Sequence, residues 1–167
     1  MAGKETYFKE QVLNVLKDYD GHTIVRNNDE PLFINGRKIH TIRGNYALWE
    51  KRIGEVNRGE AYISLREWSG KPYRSQQREI AVLTTVGIQR VIMSESEWEE
   101  KDGKHFCYWA EVDGKEVNLD DLAKNDGFSD TGDYIMWFYP DIDRQNSDKD
   151  GWKHIELAII HFTKFRY

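Results

Sequence analysis

The octapeptide Gly36-Arg37-Lys38-Ile39-His40-Thr41-Ile42-Arg43 constrains this chain more than any other stretch. A glycine leads into a short β-branched run, yet the run carries a lysine, a hydroxyl and an arginine. A strand buried on both faces reads as an apolar run, and a half-buried one alternates apolar with polar. This segment does neither, so it predicts a strand that presents polar groups. Two readings of Gly36 stand side by side. Asn35-Gly36 fits the central pair of a type I′ hairpin turn joining 31–34 to the motif strand. Alternatively, the glycine supplies a bend that places Lys38 ahead of the strand proper.

The rest of the chain surrounds that strand with short elements. Phe8, Val12, Val15 and Leu16 recur at helical spacing, predicting an amphipathic helix over 6–19 that Asp20-Gly21 ends. A second helix is expected over 49–57, with Asn45 a candidate cap. Strands are expected over 61–68, as one long strand over 79–93 bent at Gly87, over 105–112 between the turns Asp102-Gly103 and Asp113-Gly114, and over 153–165. The segments 69–77, 95–102 and 141–150 read as polar loops. Helices are expected over 119–124 and from a cap at Ser129 or Asp130 through Tyr139, where Pro140 stops the second. Trp137 and Phe138 read as core, and Cys107 as a buried thiol. The tally is an α+β domain built around a small, mixed β-barrel.

At 167 residues, 39% hydrophobic and 32% charged, one globular domain is expected. No run approaches the ~20 apolar residues of a spanning helix. The charged start, Met1 to Lys9, lacks the apolar core of a secretory signal, and a single cysteine fits a reducing compartment, so a cytoplasmic location is expected. The net charge of −5 hides a segregation. From Arg37 to Arg78 ten Lys and Arg face four Asp and Glu, a local +6, against −11 elsewhere. Screening limits charge interactions to about 8–10 Å, so a basic zone on an acidic protein still attracts phosphate.

The pattern G-[RK]-K-x-x-T-I-R over 36–43 resembles the ASCH family, a branch of the PUA-like fold associated with RNA. Leu122-Ala123-Lys124-Asn125-Asp126-Gly127-Phe128 resembles that family's second motif, an acidic residue before Gly-Phe ahead of a helix, and Ile155 to Phe162 sits where the family closes its barrel. The resemblance spans about 31–165. It implies a PUA-like (ASCH) barrel with flanking helices over 31–167; residues 1–30, whose helix lies outside the motif, are expected as an N-terminal helical extension packed on it. It also implies RNA or a modified nucleoside or nucleotide as partner, without membrane or cofactor.

The family's small amidohydrolases act on acylated cytidine such as N4-acetylcytidine with a lysine, a threonine and a carboxylate. By motif these fall on Lys38, Thr41 and Asp126, where the family member carries glutamate. A desolvated Lys38 would deprotonate Thr41, Asp126 would orient the lysine, and Arg43 would neutralise an oxyanion or hold a phosphate. Strand alternation sends Lys38 and Thr41 to opposite faces unless Lys38 precedes the strand. For a binding module, cations serve phosphates and flat rings serve bases. Arg37, His40, Arg43, Trp68, Lys71, Tyr73, Arg74 and Arg78 are the candidate contacts, with Tyr46 and Trp49 as further rings. A metal-assisted ribonuclease finds no ligand spacing among the five histidines or in Asp141, Asp143, Asp148 and Asp150. The expected function is binding of RNA or a nucleotide-like ligand in a basic cleft. The alternatives are a hydrolase in that cleft, whether amidohydrolase or ribonuclease, and a protein-interaction domain that kept only the fold.

Overall fold

The structure, a computed structural model, describes residues 7–16, the backbone of 22–24, and 37–167. The turn expected at Asn35-Gly36, the strand before it and the Asp20-Gly21 helix stop lie outside the described residues.

Helix α1 (Phe8–Leu16) precedes strands β1 (His22–Ile24) and β2 (His40–Gly44), helix α2 (Tyr46–Asn57), and strands β3 (Ile63–Trp68), β4 (Gln77–Leu83), β5 (Gly87–Glu100), β6 (Gly103–Val112) and β7 (Lys115–Glu116). Helices α3 (Leu119–Asn125) and α4 (Thr131–Asp143) and strand β8 (Trp152–His161) complete the described elements. The strands form two sheets, β1-β4-β3 and β2-β8-β5-β6-β7, and every recorded strand pairing is antiparallel. The α+β class holds. A closed, mixed barrel is not what these strands form, because β2 and β7 end the larger sheet without pairing to each other.

Two apolar clusters flank the larger sheet. Ile42, Val91, Met93, Ala110, Val112, Leu157 and Ile159 pack against Leu122, Tyr134, Phe138 and Ile142 of α3 and α4. On the opposite face Ile160 and Phe162 meet Val12 and Leu16 of α1, Ile53 and Val56 of α2, and Leu65, Ile80 and Leu83 of the smaller sheet. Helix α1 therefore shares a core with the strands, and β1 completes a sheet with β4.

Several expectations give way for local reasons. The long strand expected over 79–93 is two strands in different sheets, separated at Thr84–Val86. The space a Cβ on Gly87 would fill holds the Arg166 guanidinium. The acidic stretch from Glu95 is not a loop, since β5 runs to Glu100 and pairs with β6 throughout. The β5–β6 turn falls one residue earlier than expected, on Lys101-Asp102, with Gly103 (φ 130°) already paired to Glu100 in β6, whereas Asp113-Gly114 turns where expected with φ 49° and 79°. Pro140 lies inside α4 without ending it. The carbonyl four residues back belongs to Met136, whose side chain is 62% exposed, so water can satisfy it, while Phe138 and Ile142 anchor the helix on either side. Trp137 is 57% exposed rather than core, because it faces away from its buried neighbour Phe138. Cys107 is exposed, as β6 projects beyond the covering helices there. Helix α2 starts at Tyr46, capped by the Asn45 side chain accepting the Leu48 N–H at 3.1 Å.

Candidate functional site

The two motifs meet. Helix α3 begins at Asn118, whose side chain accepts the N–H groups of Asp120 and Asp121. It stops at Asp126-Gly127-Phe128 in a Schellman arrangement, with Gly127 at φ 84°, the Gly127 N–H on the Lys124 carbonyl (3.1 Å) and the Phe128 N–H on the Ala123 carbonyl (2.9 Å). Phe128 then packs edge-on against Tyr134 at 5.3 Å. The motif is thus a helix stop that fixes Asp126 as the capping residue. The chain before β2 runs alongside it. Lys38 and Asp126 form an isolated antiparallel bridge, and the Ile39 N–H reaches the Asn125 carbonyl at 2.9 Å.

The Lys38 ammonium donates to the Asp126 carboxylate, Nζ to Oδ1 2.5 Å, and to the Asp126 main-chain carbonyl. Both residues are buried. Burial is the largest influence on each, pushing the Asp126 carboxyl up and the Lys38 ammonium down, while their mutual attraction opposes both shifts. Arg43 and the Ile42 N–H also favour the carboxylate. Helix α1 roofs the pair. The Phe8 ring lies 5.9 Å from Nζ, the Gln11 carbonyl accepts the Lys38 N–H (3.3 Å), and the Gln11 side chain donates to the Gly127 carbonyl (3.3 Å).

Thr41, three residues after Lys38, is also buried. It sits opposite Ile160 in the β2–β8 ladder, on the face of the α1–α2 cluster, whereas His40 sits opposite His161 on the face of Ile42 and Ile159. Among the described residues no hydrogen bond joins Lys38 to Thr41. His40 is fully buried, its Nε2 2.8 Å from the Tyr167 hydroxyl and its Nδ1 3.8 Å from Asp126 Oδ1. Burial, then the charges of His161 and Lys38, holds it well below the usual histidine range, so it is neutral.

The remaining candidates are elsewhere or outside. Arg37 and Arg43 are exposed at the ends of the motif strand. Lys71, Tyr73, Arg74 and Arg78 are exposed on and beside the β3–β4 turn, with Trp68 half-buried at its base. That turn is closed by the Ser69 N–H on the Gln76 carbonyl (2.8 Å), the Arg74 N–H on the Lys71 carbonyl (3.1 Å) and the Ser75 hydroxyl on the same carbonyl (3.0 Å). Tyr73 is 89% exposed at φ 61°, its ring 5.2 Å from that of Trp68. Tyr46 and Trp49 are engaged by Arg90 and Arg52 at 4.8 and 5.2 Å.

Sequence reasoning missed Phe8, Gln11, Asn125 and Tyr167. The amphipathic pattern of α1 gave its buried side but not that its first turn lies over Lys38. Asn125 stands inside the second motif, the one signal available for it, while Tyr167 offered none. It also missed a carboxylate–imidazole–hydroxyl chain. Asp148, held by the Asp150 and Trp152 N–H groups, accepts from His154 Nε2 (3.0 Å), and His154 Nδ1 accepts from the Ser94 hydroxyl (2.8 Å). Ser94 is 1% exposed on a strand hydrogen-bonded on both sides, which leaves neither access nor free N–H groups for an oxyanion. The chain fastens the 148–152 turn to the sheet. Among the described residues, Glu100, Asp102 and His105 bring potential metal-ligand atoms within 4.8 Å of one another at the exposed β5–β6 turn. No helix among the described residues is long and apolar enough to cross a membrane.

Comparison with protein-family models, with curated proteins and with solved structures finds no match.

Proposed function

We propose that this chain is an ASCH-like, PUA-related domain that binds single-stranded RNA or a nucleotide-like ligand against the β3–β4 turn. The observation that carries this reading is Tyr73. A non-glycine residue in the left-handed region costs about 1–2 kcal/mol, and a ring left 89% exposed gains little from burial to offset it. A platform for a base accounts for both features, since each stacked base contributes ~1–3 kcal/mol. Trp68 supports the ring from below, and Lys71, Arg74 and Arg78 supply the cations for the flanking phosphates. The test is fluorescence anisotropy with a labelled single-stranded RNA in low and moderate salt, on wild type, Tyr73→Ala and Lys71→Glu/Arg74→Glu. Salt-sensitive binding weakened by both variants is expected; wild-type affinity in both variants would remove the turn from the interface.

A second reading, a hydrolase acting on an acylated nucleoside, is favoured by the Lys38–Asp126 pair. Burial draws Lys38 toward neutrality, the direction a general base needs, and perturbed ionisable pairs concentrate at functional sites. In this reading Lys38 deprotonates the attacking hydroxyl, Asp126 orients the ammonium that forms, and α1 shifts to admit substrate past Phe8 and Gln11. The threonine role implied by the ASCH resemblance requires Thr41 to leave the Ile160 face of β2. Turnover of N4-acetylcytidine that Lys38→Ala abolishes would establish this activity, and absence of turnover by wild type would end it.

A further inference from the structure

We propose that His40 and Tyr167 are positioning residues for the Lys38–Asp126 pair, linked in a one-way relay. Asn125 donates to Tyr167, Tyr167 donates to His40, and His40 turns its Nδ1–H toward Asp126. The relay deepens the hydrolytic reading of that pair and adds two residues to it.

The direction follows from counting protons. The Asn125 amide nitrogen lies 2.9 Å from the Tyr167 hydroxyl oxygen and can only donate to it. The single hydroxyl proton is then free for His40 Nε2, 2.8 Å away. An Nε2 that accepts leaves the ring proton of a neutral imidazole on Nδ1. Nδ1 has no hydrogen-bond partner and lies 3.8 Å from Asp126 Oδ1. Reversing the chain, with the Asn125 amide turned over and Nε2 protonated, would aim the Nδ1 lone pair at a buried carboxylate. The Asp126 charge therefore selects the same direction as the hydroxyl.

The parts are separately held. Asn125 is fixed by its carbonyl on the Ile39 N–H (2.9 Å), so the amide moves with the Lys38–Asp126 bridge. Tyr167 is held by its N–H on Gln89 Oε1 (3.0 Å), by Phe165 edge-on at 4.9 Å and by His161 at 6.2 Å. Gln89 is itself tied to Asp113 at 3.0 Å. The segment after β8 thus reaches back to the site and sets the face of His40 that Asp126 sees.

The test is proton placement by nitrogen-15 NMR of the imidazoles, with the Asp126 carboxyl followed by carbon-13. In wild type the His40 proton is expected on Nδ1; a proton on Nε2 overturns the relay without any variant. Tyr167→Phe keeps the ring and removes the hydroxyl. It removes one of the two influences that hold the proton on Nδ1, so the share of the Nε2–H tautomer is expected to rise and with it the pH at which Asp126 titrates, and an unmoved Asp126 overturns the positioning role. Turnover on N4-acetylcytidine is the independent arm. If wild type turns over, Tyr167→Phe should lower kcat by about 10- to 100-fold with KM little changed, and an unchanged kcat also overturns the positioning role. If wild type does not turn over, the hydrolytic reading fails while the two NMR readouts still decide the relay.

Discussion

Lys38 and Asp126 are joined twice, by an isolated antiparallel backbone bridge and by an ammonium–carboxylate contact of 2.5 Å. The main-chain bridge holds the two residues side by side, within reach of each other's charge. Breaking a buried pair on one side leaves the other charge stranded, which costs about 3–5 kcal/mol, while replacing both partners by apolar groups is often neutral. Lys38→Met and Asp126→Leu alone should each lower the unfolding free energy by that amount, and the double variant should recover most of it in urea titrations. Additive losses would show that the pair is not coupled.

The same pair gives a pH signature. In Asp126→Asn the opposing charge is gone, and burial with the Arg43 charge acts unopposed on Lys38, lowering its folded pKa further. A depressed folded value means that the unfolded chain binds more protons below 10.5, so stability is present above that pH and is lost as pH falls through the folded value. The urea midpoint of Asp126→Asn should rise as pH is raised toward that range, more steeply than in wild type. Parallel profiles would contradict it.

Gly127 and Gly87 should respond differently to alanine. Gly127 sits at φ 84°, where an added Cβ is strained, and its Cβ would come within 2.3 Å of Gln11 Oε1, the side chain that ties α1 to the site. Gly127→Ala should cost about 1–2 kcal/mol, and adding Gln11→Ala should not restore it, since the backbone supplies most of the strain. At Gly87 the obstacle is the end of the Arg166 side chain, which can swing aside. Gly87→Ala should shift the melting temperature far less, and equal shifts would refute the distinction.

His161 makes the fold acid-sensitive. It is fully buried with neither ring nitrogen hydrogen-bonded, and burial followed by Arg166 brings its pKa to about 3, with Asp113 opposing. A depressed histidine contributes stability above its unfolded value of 6.5 that is lost as pH falls toward about 3. The loss is on the order of a few kcal/mol. His40, packed against it at 5.6 Å and also held low, acts in the same sense. His161→Phe should flatten the stability profile between those pH values whatever it does to the baseline, and an unchanged slope would place the sensitivity elsewhere.

The sequence disclosed what local physics dictates. The α1 stripe, the Asp113-Gly114 turn, the Asn45 and Asp130 caps and the closed polar turn after Trp68 follow from residue chemistry within a few positions. It did not disclose which sheet a strand joins, so 79–93 read as one element although its halves belong to different layers. Nor could periodicity show that β5 keeps pairing through the exposed Glu97 and Glu99, where a long hairpin partner substitutes for a core. Motif resemblance singled out Lys38 and Asp126 but not that they meet, and Tyr167 reaches His40 only through the path of the chain after β8.

Tyr73 separates stability from binding in a single position. Its left-handed backbone favours glycine, and its ring, resting on Trp68, is almost wholly in water. Tyr73→Ala and Tyr73→Gly both remove the ring, so comparing them isolates the backbone. The glycine variant should be more stable than the alanine variant by about 1 kcal/mol, the left-handed cost less glycine's greater unfolded-state entropy. Both should lose RNA affinity by ~1–3 kcal/mol if one base stacks there. Lys71→Glu/Arg74→Glu should instead weaken binding uniformly across sequences and reduce the steepness of its salt dependence, because those side chains meet phosphate rather than base. Thermal denaturation and anisotropy titrations on the same preparations read both effects. A Tyr73→Gly protein that is more stable and binds as tightly as wild type would make the exposed ring a tolerated strain rather than a binding surface.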